Sequence, residues 1–317
     1  MHYGVIGMGP VGATFAALLN AGGHRVSVLD GNLHRAELFR KKPLKVGGFY
    51  QAETQLKEVY TTFQDFAAAD PSVVLMAVKT HTLPDIVSRI KNSPLHDKAI
   101  VSCQNGIDSE LEIAEVLGDD HAFRMILNFG VTYSTTHEVN VTFLNEPHFL
   151  SSVSPSQEAL ASEICADLNK AGMKVEFVKD LKGEIFKKAI LNTSLGSVCA
   201  LTRMTMAEVM SEAELKTMVT EIIKEGISVC RAYDIDVTPD FLERAVAYLS
   251  KGGNHKPSML VDIETGRQTE VRHLAGKLFE YAQRREIPVP VTQSVFYLIK
   301  SLEKSVMLRR YVHSPAE

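Results

Sequence analysis

Short runs of Val, Ile and Leu alternate with longer segments of helical periodicity over the first half of the chain. Tyr3 to Ile6, Arg25 to Leu29, Val73 to Val78, Ala99 to Ser102 and Phe123 to Leu127 read as strands. Their near-continuous apolar character is that of strands covered on both faces. Between the first two lies Val11 to Asn20, rich in Ala and Leu and closed by Gly22 and Gly23, which predicts a helix. Strand, helix and strand in this order make the unit of an open parallel sheet. Farther on, Val139 to Phe143 alternates, Asn145-Glu146-Pro147 turns and His148 to Leu150 resumes, which predicts a small hairpin at the sheet's edge. A helix over Gln157 to Lys170 and a last strand over Lys174 to Val178 complete this α/β region.

After about Asp180 the strand signals nearly vanish. Helices are predicted over Glu184 to Leu201, Glu212 to Ala232, Pro239 to Leu249, Ser258 to Glu264, Glu270 to Arg285 and Val291 to Ser301. Pro239 suits a first helical turn, and Pro257 and Pro288 suit boundaries. The change of pattern divides the chain into an α/β domain over 1–180 and an all-helical domain over 181–317, with a frayed polar tail from His313 to Glu317.

Of the 317 residues 45% are hydrophobic, so a core of useful size is available without disulfides or metals. Cys103, Cys165, Cys199 and Cys230 are widely separated, with no zinc-site spacing, and most read as buried thiols. The net charge of -4 gives no reason to expect a nucleic-acid partner. The apolar runs are too short for a membrane span, and the amino terminus runs straight into a strand pattern. The expectation is a cytoplasmic protein, monomeric or homodimeric.

Chemistry enters at Gly7-Met8-Gly9-Pro10-Val11-Gly12, a GxGxxG that follows the first strand and opens the first helix. Gly7 permits the tight turn, Gly9 lets the backbone approach a pyrophosphate, and Gly12 allows close packing of helix on strand. The helix amino terminus then faces the phosphate charge. This makes the first domain a Rossmann-type dinucleotide-binding domain for NAD(H) or NADP(H); FAD is the weaker candidate.

Asp30, at the end of the second strand, is placed to accept hydrogen bonds from the adenosine ribose, which favours NAD(H). The competing reading starts a turn at Asp30-Gly31-Asn32 and turns Arg35 or Arg40 to a phosphate. Lys79 and Asn105-Gly106 follow two further strands at the same sheet edge, where open α/β sheets bind ligands. Each is either a cofactor or substrate contact or an ordinary loop residue.

In the helical half, Lys188 and Asn192 are four apart and share one face beside Ile185 and Ala189. That pairing suits an interdomain pocket, and the residues alone favour the plainer alternative of a solvated stripe. Ser258 either caps a helix after Pro257 or serves a site, and Thr269-Glu270 either starts the next helix or does the same.

These pieces together resemble the ketopantoate reductase (2-dehydropantoate 2-reductase) family over nearly the entire chain. They are Gly7 to Gly12, Val78-Lys79, Gln104-Asn105-Gly106-Ile107, the Lys188 to Asn192 helix, and Ser258-Met259-Leu260 with Asp262, Arg267, Thr269 and Glu270. The resemblance implies a helical domain of the 6-phosphogluconate dehydrogenase C-terminal-like type. It implies reduction of 2-dehydropantoate to (R)-pantoate, a step toward pantothenate and coenzyme A. It makes Lys188 the proton donor to the ketone oxygen and Glu270 the carboxylate that engages the substrate hydroxyl and helps fix the lysine. Asn105, Asn192 and Ser258 would hold the substrate's polar groups, and Lys79 would lie near the cofactor. No metal is implied, because an ammonium supplies the electrophilic assistance.

Two departures stand out. Gly196 occupies the position one turn beyond Asn192 where many members have a second asparagine, and Asp30-Gly31-Asn32 replaces the arginine-bearing segment typical of NADP-dependent members. They raise an alternative, an NAD-dependent D-2-hydroxyacid dehydrogenase of the same superfamily. A non-catalytic dinucleotide sensor is disfavoured by the presence of both Lys188 and Glu270.

Overall fold

A computed structural model describes residues 1–313, the side chains of 309–313 excepted. Apart from His313, the expected polar tail lies outside the described residues. By packing, the chain forms two compact units, one of residues 1–104 and 108–181, the other of residues 105–107 together with 182 onward.

The first unit carries twelve strands: β1 (His2–Ile6), β2 (Arg25–Leu29), β3 (Leu44–Gly48), β4 (Ala52–Thr54), β5 (Glu58–Tyr60), β6 (Val73–Met76), β7 (Ala99–Ser102), β8 (Ala122–Ile126), β9 (Phe129–Thr135), β10 (Glu138–Leu144), β11 (His148–Ser152) and β12 (Val175–Phe177). Its α-helices are α1 (Pro10–Ala21), α2 (Leu33–Lys41), α3 (Phe63–Ala68), α4 (Leu83–Lys91), α5 (Ser109–Leu117) and α6 (Glu158–Lys170). Eight strands form one sheet in the order β12-β11-β8-β7-β6-β1-β2-β5, parallel except where β11 runs against β8.

Alternation along the strands feeds two cores. Val73, Leu75 and Val101 join α1 and α6 in one, while Val74, Met76 and Ile100 join α3, α4 and α5 in the other. Covering on both faces is why these strands read as unbroken apolar runs.

The predicted hairpin does not form. β10 pairs with β9 and β3 in a separate four-stranded sheet of order β4-β3-β10-β9, whereas β11 returns to β8 in the large sheet. Alternation specifies which face of a strand is buried and leaves the partner open. The strands β3, β4, β5 and β9 are additions to the sequence reading.

The described residues from Lys182 onward contain helices and no strand: α7 (Lys182–Thr202), α8 (Met206–Ser211), α9 (Ala213–Ala232), α10 (Phe241–Leu249), α11 (Ser258–Glu264), α12 (Ala275–Arg284) and α13 (Pro290–His313). Helix α7 is central, with an unbroken buried run from Thr193 to Ala200, and it packs against α9, α11 and α13. Two expected helices are corrected. The segment Glu270 to Leu274 is a turn, and α12 starts only at Ala275; α13 runs twelve residues past Ser301. All four cysteines are buried free thiols, and burial pushes Cys165, Cys199 and Cys230 up to about 12. Among the described residues no helix is long and apolar enough to cross a membrane.

Candidate active site

The loop from Gly7 to Gly12 joins β1 to α1, and each glycine has a distinct reason to be there. Gly7 takes φ +94°, and a Cβ there would stand 2.5 Å from Val78 Cγ1. A Cβ on Gly12 would collide with the Gly7 carbonyl oxygen. Gly9 is different: a Cβ on it meets nothing within 4 Å. Gly9 is also the N-cap of α1, with no side-chain cap, and Pro10 follows at the first helical turn. The amides at the start of α1 therefore border open space, the arrangement that receives a dinucleotide diphosphate. Met8 is buried, and its carbonyl accepts the Tyr133 hydroxyl at 2.7 Å. Burial raises the Tyr133 pKa, which keeps that hydroxyl a neutral donor.

At the end of β2, Asp30 is only 3% exposed. Its Oδ1 accepts the Asn32 N–H at 3.0 Å and Arg35 Nη2 at 2.9 Å, and its Oδ2 accepts Arg35 Nε at 2.5 Å. The hydrogen bond to Asp30 holds the Arg35 guanidinium above its usual pKa. Arg35 also lies over the Tyr133 ring, 5.7 Å from its centroid. The two sequence readings of this corner are thus partly combined: Asp30 starts the turn, and it holds Arg35 while doing so. Three of the roughly four acceptor positions of the carboxylate are taken, which leaves one.

Lys79 follows β6 and precedes a short 3-10 turn, its carbonyl accepting the Thr82 hydroxyl at 2.8 Å. Asn105 follows β7 by three residues, but the segment Asn105 to Ile107 packs with the helical unit. The Ile107 N–H donates to the His273 carbonyl at 2.9 Å. Gly106 lies at φ +117°, and a Cβ there would stand 2.7 Å from His273 Cβ, so this close approach requires glycine. The result is a direct contact between two residues 165 apart in sequence: Asn105 Nδ2 donates to Glu270 Oε2 at 3.2 Å. Glu270 is only 6% exposed.

Lys188 and Asn192 lie half-buried on α7, one turn apart. Their neighbour Lys187 is paired with Glu184 at 2.9 Å. The same face continues to Gly196, which is buried and whose added Cβ would stand 3.9 Å from Met259 Cβ of α11. The Ser197 hydroxyl donates to the Met259 sulfur at 3.7 Å, fixing α11 on α7 beside this face. Ser258 is exposed and is the first residue of α11, whose N-cap is Pro257, so the expected capping role is absent.

Sequence reasoning missed several supporting residues. Tyr133 sits on a strand that was not expected. Arg124, 4% exposed, donates to the Ser102 hydroxyl at 3.0 Å and to Ser109, and Ser102 in turn donates to Gln104 Oε1 at 2.6 Å, just ahead of Asn105. A charge inside the apolar run Phe123 to Leu127 was the available signal. Glu303 accepts two hydrogen bonds from Thr269, beside Glu270.

Comparison with known proteins decides the family. Residues 3–151 match the model described as ketopantoate reductase PanE/ApbA, and residues 180–303 match the model of its C-terminal part. The chain belongs to the ketopantoate reductase family.

As a ketopantoate reductase family member it is an NAD(P)-dependent oxidoreductase with the chemistry that interconverts 2-keto acids and 2-hydroxy acids. The 2-dehydropantoate 2-reductase of Pyrococcus horikoshii is 24% identical over 311 residues, covering 94% of this chain and 96% of the relative. The crystal structure of 2-dehydropantoate 2-reductase from Methylococcus capsulatus has a TM-score of 0.82 at 24% identity, covering 96% of this chain and 98% of that one. The ternary structure of D-mandelate dehydrogenase with NADH and anilino(oxo)acetate has a TM-score of 0.86 at 19% identity, covering 96% and 99%. These likenesses share the two-part fold: a Rossmann-like sheet followed by helices.

Proposed function

We propose that this chain reduces 2-dehydropantoate to (R)-pantoate with NAD(P)H, as a cytoplasmic monomer or homodimer acting toward pantothenate and coenzyme A. The observation that carries the reading is the Asn105–Glu270 hydrogen bond, which sets a carboxylate against the loop that follows β7. The cofactor supplies the hydride that reaches the keto carbon. The protein's own part is to bind, orient and protonate.

The Gly9 cradle and the α1 amides receive the diphosphate, and Asp30 favours NAD(H) through its remaining acceptor position. Lys79, at the same sheet edge, contacts the cofactor. Lys188 holds its ammonium at the ketone oxygen, stabilises the charge that develops there and delivers one proton, leaving a neutral amine and a hydroxy acid. Asn192 and Ser258 donate to the substrate's polar groups. Glu270, anchored by Asn105, accepts the substrate's hydroxyl.

The second reading, an NAD-dependent D-2-hydroxyacid dehydrogenase, draws on Gly196. A Cβ there would only just touch Met259, and this reading takes the missing side chain beside Asn192 as an allowance for a bulkier substrate side chain. The neighbour solved with anilino(oxo)acetate is a D-mandelate dehydrogenase. The two readings separate in one assay. Absorbance at 340 nm is followed with NADH and with NADPH against 2-dehydropantoate, 2-ketoisovalerate, 2-ketoisocaproate and phenylglyoxylate. The proposal expects the highest kcat/KM with 2-dehydropantoate. A higher value with phenylglyoxylate replaces it with the second reading, and no oxidation with any of the four defeats both.

A further inference from the structure

Helix α13 buries Val295 and Ile299 completely, and one further turn along the same stripe comes Glu303, 7% exposed. The 3.6-residue period asks for an apolar residue at 303, and a carboxylate there is costly to desolvate unless it is hydrogen-bonded. Both hydrogen bonds that it accepts come from one residue. Oε2 accepts the Thr269 N–H at 2.9 Å and the Thr269 hydroxyl at 2.7 Å. With its proton committed to Glu303, the Thr269 oxygen accepts the Val271 N–H at 3.3 Å. The next carbonyl, that of Glu270, accepts the N–H groups of His273 and Leu274 at 3.0 and 3.1 Å. The peptide group that follows Glu270 is therefore held at both its carbonyl and its N–H, and Thr269 before it is held at its own N–H and hydroxyl, in a segment that forms a turn instead of the first turn of α12.

We propose that Glu303 is a positioning residue for Glu270: it holds Thr269, and through Thr269 sets the place from which the Glu270 carboxylate meets Asn105 and the keto acid. The proposal rests on the reading of Glu270 as a substrate-binding group. A carboxylate kept only for packing would be served as well by leucine. One kept to aim a neighbour must act through that neighbour, and this difference is measurable.

The experiment is a double-mutant cycle on the full-length enzyme, with Glu303→Ala and Glu270→Ala, reading kcat/KM for 2-dehydropantoate and Kd for NADH. Displacing a substrate-orienting group by about 1 Å costs about 100-fold. Glu303→Ala is expected to lower kcat/KM by about that factor, with the NADH Kd unchanged. Glu303→Gln, whose amide oxygen accepts the same Thr269 donors, is expected to restore most of it. In the Glu270→Ala background, Glu303→Ala is expected to cost no more than about 2-fold further. Equal losses in both backgrounds, or full kcat/KM in Glu303→Ala, overturn the proposal. Should Glu303→Ala not fold, Thr269→Val removes the hydroxyl end of the contact, and the same non-additivity is required of it. If Glu270→Ala itself costs nothing, or the wild type turns over no keto acid, the reading beneath the proposal fails first.

Discussion

The pairing of Asp30 with Arg35 turns cofactor choice into a competition between two charges a few ångströms apart. On the proposed reading Asp30 would repel a 2′-phosphate and accept from a ribose hydroxyl, whereas Arg35 would attract the phosphate in proportion to how little Asp30 neutralises it. Asp30→Ala removes the acceptor and releases the guanidinium. It is expected to weaken NADH by about 10-fold or more, since a hydrogen bond to a charged group is lost, and to weaken NADPH less or to tighten it. Arg35→Ala is expected to do the reverse, widening the preference for NADH. Fluorescence titration with both cofactors measures the two ratios, and equal effects on NADH and NADPH would refute the ribose contact. At this scale the sequence was readable where a residue type stood out against its period. Lys188 and Asn192 shared a visible face, and Asp30 closed a strand. Glu303 stood in a stretch that looks like a solvated helix end, Leu302-Glu303-Lys304-Ser305, and only the partner 34 residues earlier shows that its charge is buried.

Elements repeat the distinction between local and distant information. Strands β2 and β7 were legible to the residue, because Ala99-Ile100-Val101 is an unbroken apolar run and Val26, Val28 and Leu29 stand out around the one polar Ser27. Strands β3, β4 and β5 were not: Leu44-Lys45-Val46-Gly47-Gly48, Ala52-Glu53-Thr54 and Glu58-Val59-Tyr60 are short and mixed, and partners across the chain make them strands. The junction of β1 and α1 yields a paired prediction. Gly9→Ala adds a methyl group to open space and is expected to leave Tm unchanged while weakening the cofactor Kd, because the proposal puts the diphosphate in that space. Gly12→Ala drives a methyl group into the Gly7 carbonyl and is expected to cost at least the about 1–3 kcal/mol typical of overpacking. Thermal unfolding with and without NADH separates the two, and loss of Tm in Gly9→Ala would contradict the open cradle. At the other end of the chain, Glu225 of α9 accepts the Val291 and Thr292 N–H groups at 2.9 and 2.7 Å and so caps α13. Glu225→Ala is expected to destabilise the enzyme by about 1–2 kcal/mol in urea; an unchanged midpoint would show that the cap contributes nothing.

For the whole molecule, a boundary near residue 180 follows from the change of period, but contact does not respect it. Residues 105–107 sit far inside the α/β sequence and pack with the helical unit, held by the backbone bond from Ile107 to His273 and the side-chain bond from Asn105 to Glu270. No local pattern encodes a pairing across 165 residues, and the family resemblance was what brought Asn105 and Glu270 into one account. The proposal puts cofactor recognition and proton delivery in different parts of the chain, so they are expected to separate on mutation. NADH at 100 times its Kd is expected to stabilise the enzyme by about 2.7 kcal/mol, and to do so equally in Lys188→Ala, whose lesion lies outside the nucleotide unit. The most direct test compares oxidation of NADH and NADPH at 340 nm by wild type and Lys188→Ala at saturating 2-dehydropantoate. The account predicts turnover by the wild type and a loss of kcat of about 10²–10⁴-fold in the variant, the range for a positioned general acid, with cofactor Kd unchanged. Equal turnover by the two proteins would contradict it.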